Sequence, residues 1–261
     1  MDNSCNSSFF NELPKTEEEN SVIVYVAGGL FGDFFHQLSV IKEKYLITGK
    51  KGLLYISNRG DAFRFGLENT YKNTYELIIR QDYIEDYKIY DNEKYDIDLS
   101  TWRGSYGALY DRNWHNIFKN EYKIEWGKNK WIDVEKDDKW SNKILVNETA
   151  YRFSSINYND LYNIFKDQIV FIAFKETNYE DYKNFVRKTG LEVEYYNPKS
   201  VYDVAVAINS CRVFVGVPSG FMSMALALKA KIIMGEPPIN AEKEFIRYLD
   251  RHVDNLWFSV L

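Results

Sequence analysis

The stretch Val22 to Gln37, VIVYVAGGLFGDFFHQ, constrains the fold of this chain more than any other. Valines, an isoleucine and a tyrosine run on without polar interruption, which suits a strand buried on both faces in a parallel sheet. A glycine-rich turn and an amphipathic helix from about Phe34 follow, so the segment reads as the first βα unit of an α/β sheet. Such sheets bind their ligands at the carboxyl ends of the strands. Gly28, Gly29 and Gly32 permit positive φ and close approach of a bound molecule, and the helix behind them offers unpaired N–H groups to an anion. Asp33 stands at this mouth, either as a helix cap or as a chemical group.

The glycines do not make a dinucleotide fingerprint. G-x-G-x-x-G needs glycine at 28, 30 and 33, where the chain has Gly28, Leu30 and Asp33. The second strand, Gly52 to Ser57, ends in Ser57-Asn58-Arg59 rather than in the acidic residue that would hold a ribose. NAD and FAD are therefore not expected.

A chain of 261 residues fits one large α/β domain or two small lobes. The formal net charge of −5 and scattered basic residues leave no footprint for a nucleic-acid backbone. Two cysteines, Cys5 and Cys211, and three histidines, His36, His115 and His252, give no zinc spacing, and neither metal nor cofactor is expected. No apolar run reaches the roughly twenty residues of a membrane span, and the N-terminus lacks signal-peptide character, so a reduced, cytoplasmic protein is expected. Residues 1–20, polar with Glu17-Glu18-Glu19, read as a flexible tail. The aromatic load of 21 Tyr, 17 Phe and 6 Trp is assigned mainly to packing, with sugar stacking as the lesser reading.

Along the chain, strands and helices alternate. After the helix to Thr48 comes the strand Leu53 to Ser57, a helix over Leu67 to Gln81 and a short strand at Tyr87 to Tyr90. Asp91 to Lys139 is irregular, with one expected helix near Asp111 to Lys119, and reads as an acceptor-facing insert. The second half alternates strictly: strands at Lys143 to Val146, Ile169 to Phe174, Leu191 to Tyr195, Val213 to Val217 and Lys231 to Met234, with helices between them and a last helix at Ala241 to Leu249. The expected fold is thus α/β with two Rossmann-like lobes of parallel sheet: 21–135 facing the acceptor and 136–261 facing the donor.

The strongest signal in the second half is CRVFVGVPSGFMSMALALKAKII, a buried strand, a tight exit at Gly216-Val217-Pro218, and Ser219-Gly220 opening a helix of small and apolar residues. The N–H groups of Gly220, Phe221 and Met222, with the Ser219 and Ser223 hydroxyls, form an anion cradle on one reading. On the other, Ser219 is only an N-cap and the small residues only permit close packing. Asn147, Thr149 and Arg152 follow one strand and Lys175 and Glu176 another, all toward the same edge. Arg152 and Lys175 are candidate phosphate ligands and Glu176 a candidate for a sugar hydroxyl, each with a plain surface role as the alternative. His36 is a second candidate base, or a packing residue. Trp102-Arg103 and Trp114-His115 suit a carbohydrate face or a core. Asp96-Ile97-Asp98 is a D-x-D pattern that reads better as a strand end than as a metal site.

Gly29-Leu30-Phe31-Gly32-Asp33 and the Val213 to Leu228 block together resemble the GT-B glycosyltransferases of the ADP-heptose:lipopolysaccharide heptosyltransferase-like group. That group has a G-x-x-G-D loop after its first strand and a G-V-D-[ST]-G-x-x-H-x-A-x-A-L block at the donor phosphates. The resemblance implies that Asp33 is the base taking the acceptor's proton and that Ser219-Gly220 meets the donor diphosphate. Two positions depart from the pattern: Pro218 replaces an acidic residue, and Ser223 or Met222 stands near the family's histidine. The expected function is transfer of a sugar from a nucleotide-diphosphate donor to a glycan hydroxyl, with inversion and without metal. The rivals are a non-catalytic glycan- or nucleotide-binding module or partner subunit, and another nucleotide-dependent α/β enzyme such as an epimerase.

Overall fold

The computed structural model describes residues 22–103, 114–149 and 156–235, with the backbone of 256–258. The tail, Arg152 and the expected helix Ala241 to Leu249 lie outside the described residues. The first half runs β1 (Val22–Gly28), α1 (Phe31–Thr48), β2 (Lys51–Ser57), α2 (Leu67–Ile79), β3 (Ile84–Ile89), β4 (Ile97–Asp98) and α3 (Trp114–Tyr122). The second runs β5 (Ile144–Asn147), α4 (Tyr158–Phe165), β6 (Ile169–Ile172), α5 (Lys175–Thr189), β7 (Glu194–Tyr196), α6 (Val201–Ser210), β8 (Val213–Gly216), α7 (Gly220–Ala227), β9 (Ile232–Met234) and β10 (Leu256–Phe258).

Two parallel sheets result, in the orders β3-β2-β1-β4 and β10-β9-β8-β5-β6-β7. In each, the direction of strand addition reverses once, between β1 and β4 in the first sheet and between β5 and β8 in the second. Crevices at the carboxyl ends of such reversals are where α/β sheets hold ligands. Asp33 follows β1 and Ser219 follows β8, so each of the two sequence motifs lies at one reversal.

Two helices begin earlier than their sequence pattern suggests. α1 starts at Phe31, because extended Leu30 accepts the first helical hydrogen bond from Phe34 N at 3.0 Å, so Gly32 and Asp33 sit inside its first turn. α5 starts at Lys175, which puts Lys175 and Glu176 in its opening turn.

One apolar core runs across both sheets. Tyr25, Phe34, Leu38 and Ile41 of the first half pack in the same cluster as Phe214, Met222, Met224 and Leu228 of the second. The described part of the irregular segment lies in the seam between them. Trp131 donates from Nε1 to the Phe35 carbonyl at 2.8 Å, and the N–H groups of Trp131 and Ile132 reach the Ala227 carbonyl at 3.1 and 3.3 Å. The segment thereby ties α1 to α7. The five tryptophans with described side chains, Trp102, Trp114, Trp126, Trp131 and Trp140, are all buried, so the aromatic excess here is packing surface.

Candidate functional site

At the first reversal the Asp33 carboxylate, carried by the opening turn of α1, is ion-paired through Oδ2 with Arg103, which follows β4. Arg103 also faces Asp61 Oδ2 at 3.6 Å. Both members of the main pair are largely shielded, with 16% and 25% of their side chains exposed. Two glycines make room for the guanidinium. A Cβ on Gly29, whose φ is +102°, would lie 3.1 Å from Arg103 Nε, and one on Gly60 would lie 2.9 Å from its Cδ. Next to this pair, Arg59 is held by Asp98 at 2.7 Å and lies over the rings of Tyr90 and Tyr95. The neighbouring carboxylate keeps its guanidinium proton held more tightly than usual.

The three glycines of the loop have different duties from those the sequence suggests. Only Gly29 uses positive φ. Gly28 is there for packing: a Cβ would come within 2.5 Å of the Arg59 carbonyl oxygen, while Gln37 clasps the Gly28 backbone by donating to its carbonyl (2.7 Å) and accepting from its N–H (3.1 Å). Gly32 is helical, and its Cβ would lie 3.0 Å from Ser223 Oγ on α7. Its space is taken by protein rather than by a ligand.

At the second reversal Ser219 caps α7, its Oγ accepting from Met222 N at 3.2 Å while donating to Asn147 Oδ1 at 3.4 Å. Asn147 is buried and donates from Nδ2 to the Ile172 carbonyl at 2.8 Å. It therefore latches β5, β6 and the cap together and does not project toward a donor. Gly216 allows β8 to lie against β5, since a Cβ there would be 2.5 Å from the Asn147 carbonyl oxygen. Ser223 is also buried, its Oγ donating to the Ser219 carbonyl at 3.1 Å, and is no surface hydroxyl. With Met222 N taken by the cap, the N–H groups of Gly220 and Phe221 meet no acceptor among the described residues. They are the candidate anion donors of this turn. Thr149 Oγ1 is shielded without a partner among the described residues just beyond β5, and the side chains of Lys175 and Glu176 are exposed where α5 opens.

α1 and α7 meet N-terminus to N-terminus. A Cβ on Gly220 would lie 2.6 Å from Phe31 Cδ1, so the Phe31 ring rests directly on the opening turn of α7. One turn deeper, His36 Nε2 lies 3.1 Å from Ser223 Oγ. The imidazole is 1% exposed, stacks on Trp114 with ring centroids 4.4 Å apart, and has Trp126 at 5.4 Å. That enclosure removes His36 from contact with a substrate and makes it a seam residue. His36 thus lies beside Ser223, one of the two positions, with Met222, that stand near the histidine of the resembling pattern. Trp114 and His115 are buried as well, His115 Nε2 facing Glu125 at 3.4 Å, and neither presents a carbohydrate face.

Several solved structures share this architecture. A glycosyl transferase family 9 protein from Veillonella parvula superposes with a TM-score of 0.56 at 12% identity, over 94% of this chain and 88% of that one. The E. coli heptosyltransferase WaaC with ADP gives 0.57 at 11%, over 91% and 92%. The E. coli ADP-heptose lps heptosyltransferase II gives 0.55 at 11%, over 92% and 91%. The chain has the GT-B fold. No family model and no curated protein matches it by sequence.

In this GT-B frame the D-x-D pattern is structural. Asp98 Oδ2 holds Arg59, Asp98 Oδ1 accepts from Ser100 N (2.8 Å) and Oγ (2.6 Å), and Asp96 accepts from Val24 N at 2.8 Å. Among the described residues no cluster of metal-ligating side chains occurs, and no helix is long and apolar enough to cross a membrane. Sequence reading gives Arg103, beside Trp102, a carbohydrate-facing or a core role, and misses Asp61 and Gln37. Gly60 was the available signal, since a glycine just after the second strand announces a side chain or backbone in close approach.

Proposed function

We propose that this chain is a nucleotide-sugar-dependent glycosyltransferase that inverts the anomeric carbon and needs no metal. The supporting observation is the abutment of α1 and α7 through Gly32, Phe31 and Gly220, which brings the helix start carrying Asp33 against the helix start carrying the Gly220 and Phe221 N–H groups. In this reading the acceptor hydroxyl loses its proton to Asp33 as its oxygen bonds the anomeric carbon. The bond from that carbon to the diphosphate oxygen breaks, and the electron pair leaves with the nucleoside diphosphate. The positive end of α7 and the Gly220 and Phe221 N–H groups stabilise the departing charge, so catalysis is positioning plus preorganised electrostatics. Thr149, Lys175 and Glu176 are the remaining donor-side contacts, and the acceptor is a glycan hydroxyl.

Two solved structures of this fold hold ADP and ADP-2-deoxy-2-fluoro heptose, which supports a nucleoside-diphosphate donor. The test is a thermal-shift screen against nucleoside diphosphates and nucleotide sugars, followed by transfer assays. A ligand that binds only the folded state raises the melting temperature by mass action. One nucleotide should stabilise the protein, and Asp33→Ala should abolish transfer while keeping that shift. No shift with any nucleotide would end the reading.

A further inference from the structure

The Arg103–Asp33 pair sits across the first reversal, and the chain is built around it. The guanidinium bridges two carboxylates that follow different strands, Asp33 after β1 and Asp61 after β2. Gly29 and Gly60 both adopt positive φ, at +102° and +78°, and both would drive a Cβ against the Arg103 side chain. Two residues in a backbone conformation that other side chains rarely adopt are thus kept beside one arginine. Arg103 also lies over the Trp102 ring, 5.1 Å from its centroid, and Trp102 is buried against Trp114. A surface ion pair held by long mobile side chains contributes little. This one is largely shielded, fixed from several sides, and ends on the carboxylate read here as the base.

We propose that Arg103 is the positioning residue for Asp33, aiming the carboxylate at the acceptor hydroxyl. The proposal rests on the reading of Asp33 given above. A carboxylate has about four lone-pair sites, so one oxygen can accept from arginine while the group still receives the acceptor's proton. Arg103 itself neither gains nor loses a proton: the proton moves from the acceptor oxygen to Asp33, and the guanidinium stays charged throughout. A point-charge ammonium in its place would keep the charge and lose the planar fork that fixes direction.

The experiment compares Arg103→Lys, Arg103→Ala and Asp33→Asn in the full chain, using the nucleotide sugar found by the thermal-shift screen and a panel of glycan acceptors, with circular dichroism and melting checked for each variant. Arg103→Ala should lower kcat about 100-fold, within the range of one misaligned acid–base contact, with donor KM changed less than threefold. Added guanidinium should restore at least a tenth of the loss, and Arg103→Lys should fall between the two. Retention of kcat within threefold in Arg103→Ala, or a loss confined to donor KM, overturns the proposal. If Arg103→Ala fails to fold, Arg103→Lys decides: a kcat within threefold of the unsubstituted protein overturns the proposal, and a tenfold lower kcat with unchanged donor KM supports it. Asp33→Asn separates the two levels of argument. An active Asp33→Asn removes the reading of the base, whereas an inactive Asp33→Asn beside a fully active Arg103→Ala removes only the positioning role.

Discussion

The two chain reversals, one per sheet, are built with opposite chemistry. At the first, charge meets charge: Asp33 and Arg103 form a largely shielded pair, with the exposed Asp61 at its edge. At the second, the side chains that hold the helix start are neutral, with Ser219 capping α7, Asn147 holding the cap, and Asn147 in turn tied to the Ile172 carbonyl. What stays without an acceptor among the described residues there is backbone, the N–H groups of Gly220 and Phe221. The contrast matches the needs of a transfer reaction. A proton acceptor must be aimed, which a bidentate-capable guanidinium partner does. A cradle for a dianionic leaving group needs donors already oriented, which a helix end supplies without long mobile side chains.

The largest expected effect breaks or keeps that division of labour. Asp33→Asn should lower kcat by about 10² to 10⁴-fold, the usual worth of a general base, and leave nucleotide-induced stabilisation unchanged. Ser219→Ala should do the reverse, costing about 1 kcal/mol of stability through the lost cap and weakening nucleotide binding several-fold with little change in kcat. Steady-state kinetics and melting with ADP separate the two. Variants with the same profile would show that the reversals do not divide base from cradle.

A second test concerns how rigidly each reversal is held. At the neutral one, Gly216→Ala would force a methyl within 2.5 Å of a backbone oxygen on the adjacent strand, which only a strand shift relieves. Destabilisation of about 1 to 3 kcal/mol is expected, in the range of overpacking. At the charged one, Gly60→Ala meets the Arg103 side chain at 2.9 Å and a φ of +78°. Part of that clash is relieved by moving the arginine, so urea denaturation should show a smaller stability loss, while kcat falls because the carboxylate is no longer aimed. The reverse order would mean that the charged network, not the strand pairing, is the stiffer of the two.

The sheets were legible because buried parallel strands announce themselves as apolar runs, and both motifs were legible because glycine and serine cluster where a strand turns into a helix. What sequence could not show was which small residues serve a ligand and which serve another helix. Gly32 and Ser223 carry the same local signal as Gly29 and Ser219, yet they face each other across the seam. Arg103 was seen as a cation beside an aromatic, and its partner 70 positions away depends on β4 pairing beside β1, a two-residue strand at Ile97–Asp98 with no periodicity to read. The tryptophans of the irregular segment suit a sugar face or a core in sequence, and only the fold, which places a second helix against them, decides for the core.

The smallest expected effect probes the seam that joins the two reversals. His36 and Ser223 make one hydrogen bond at 3.1 Å inside a cage of tryptophans. If that bond fixes α1 against α7, a double-mutant cycle with His36→Ala and Ser223→Ala should give a coupling of about 1 kcal/mol, the net worth of a buried neutral hydrogen bond. Loss of the imidazole alone should cost more, about 2 to 4 kcal/mol, because the stack on Trp114 leaves a cavity. Kinetically the cycle should move kcat and donor KM together, since the seam sets the distance between base and cradle and belongs to neither. A coupling near zero, with only kcat affected by His36→Ala, would instead return the histidine to the side of the acceptor and make the two reversals less independent than their chemistry suggests.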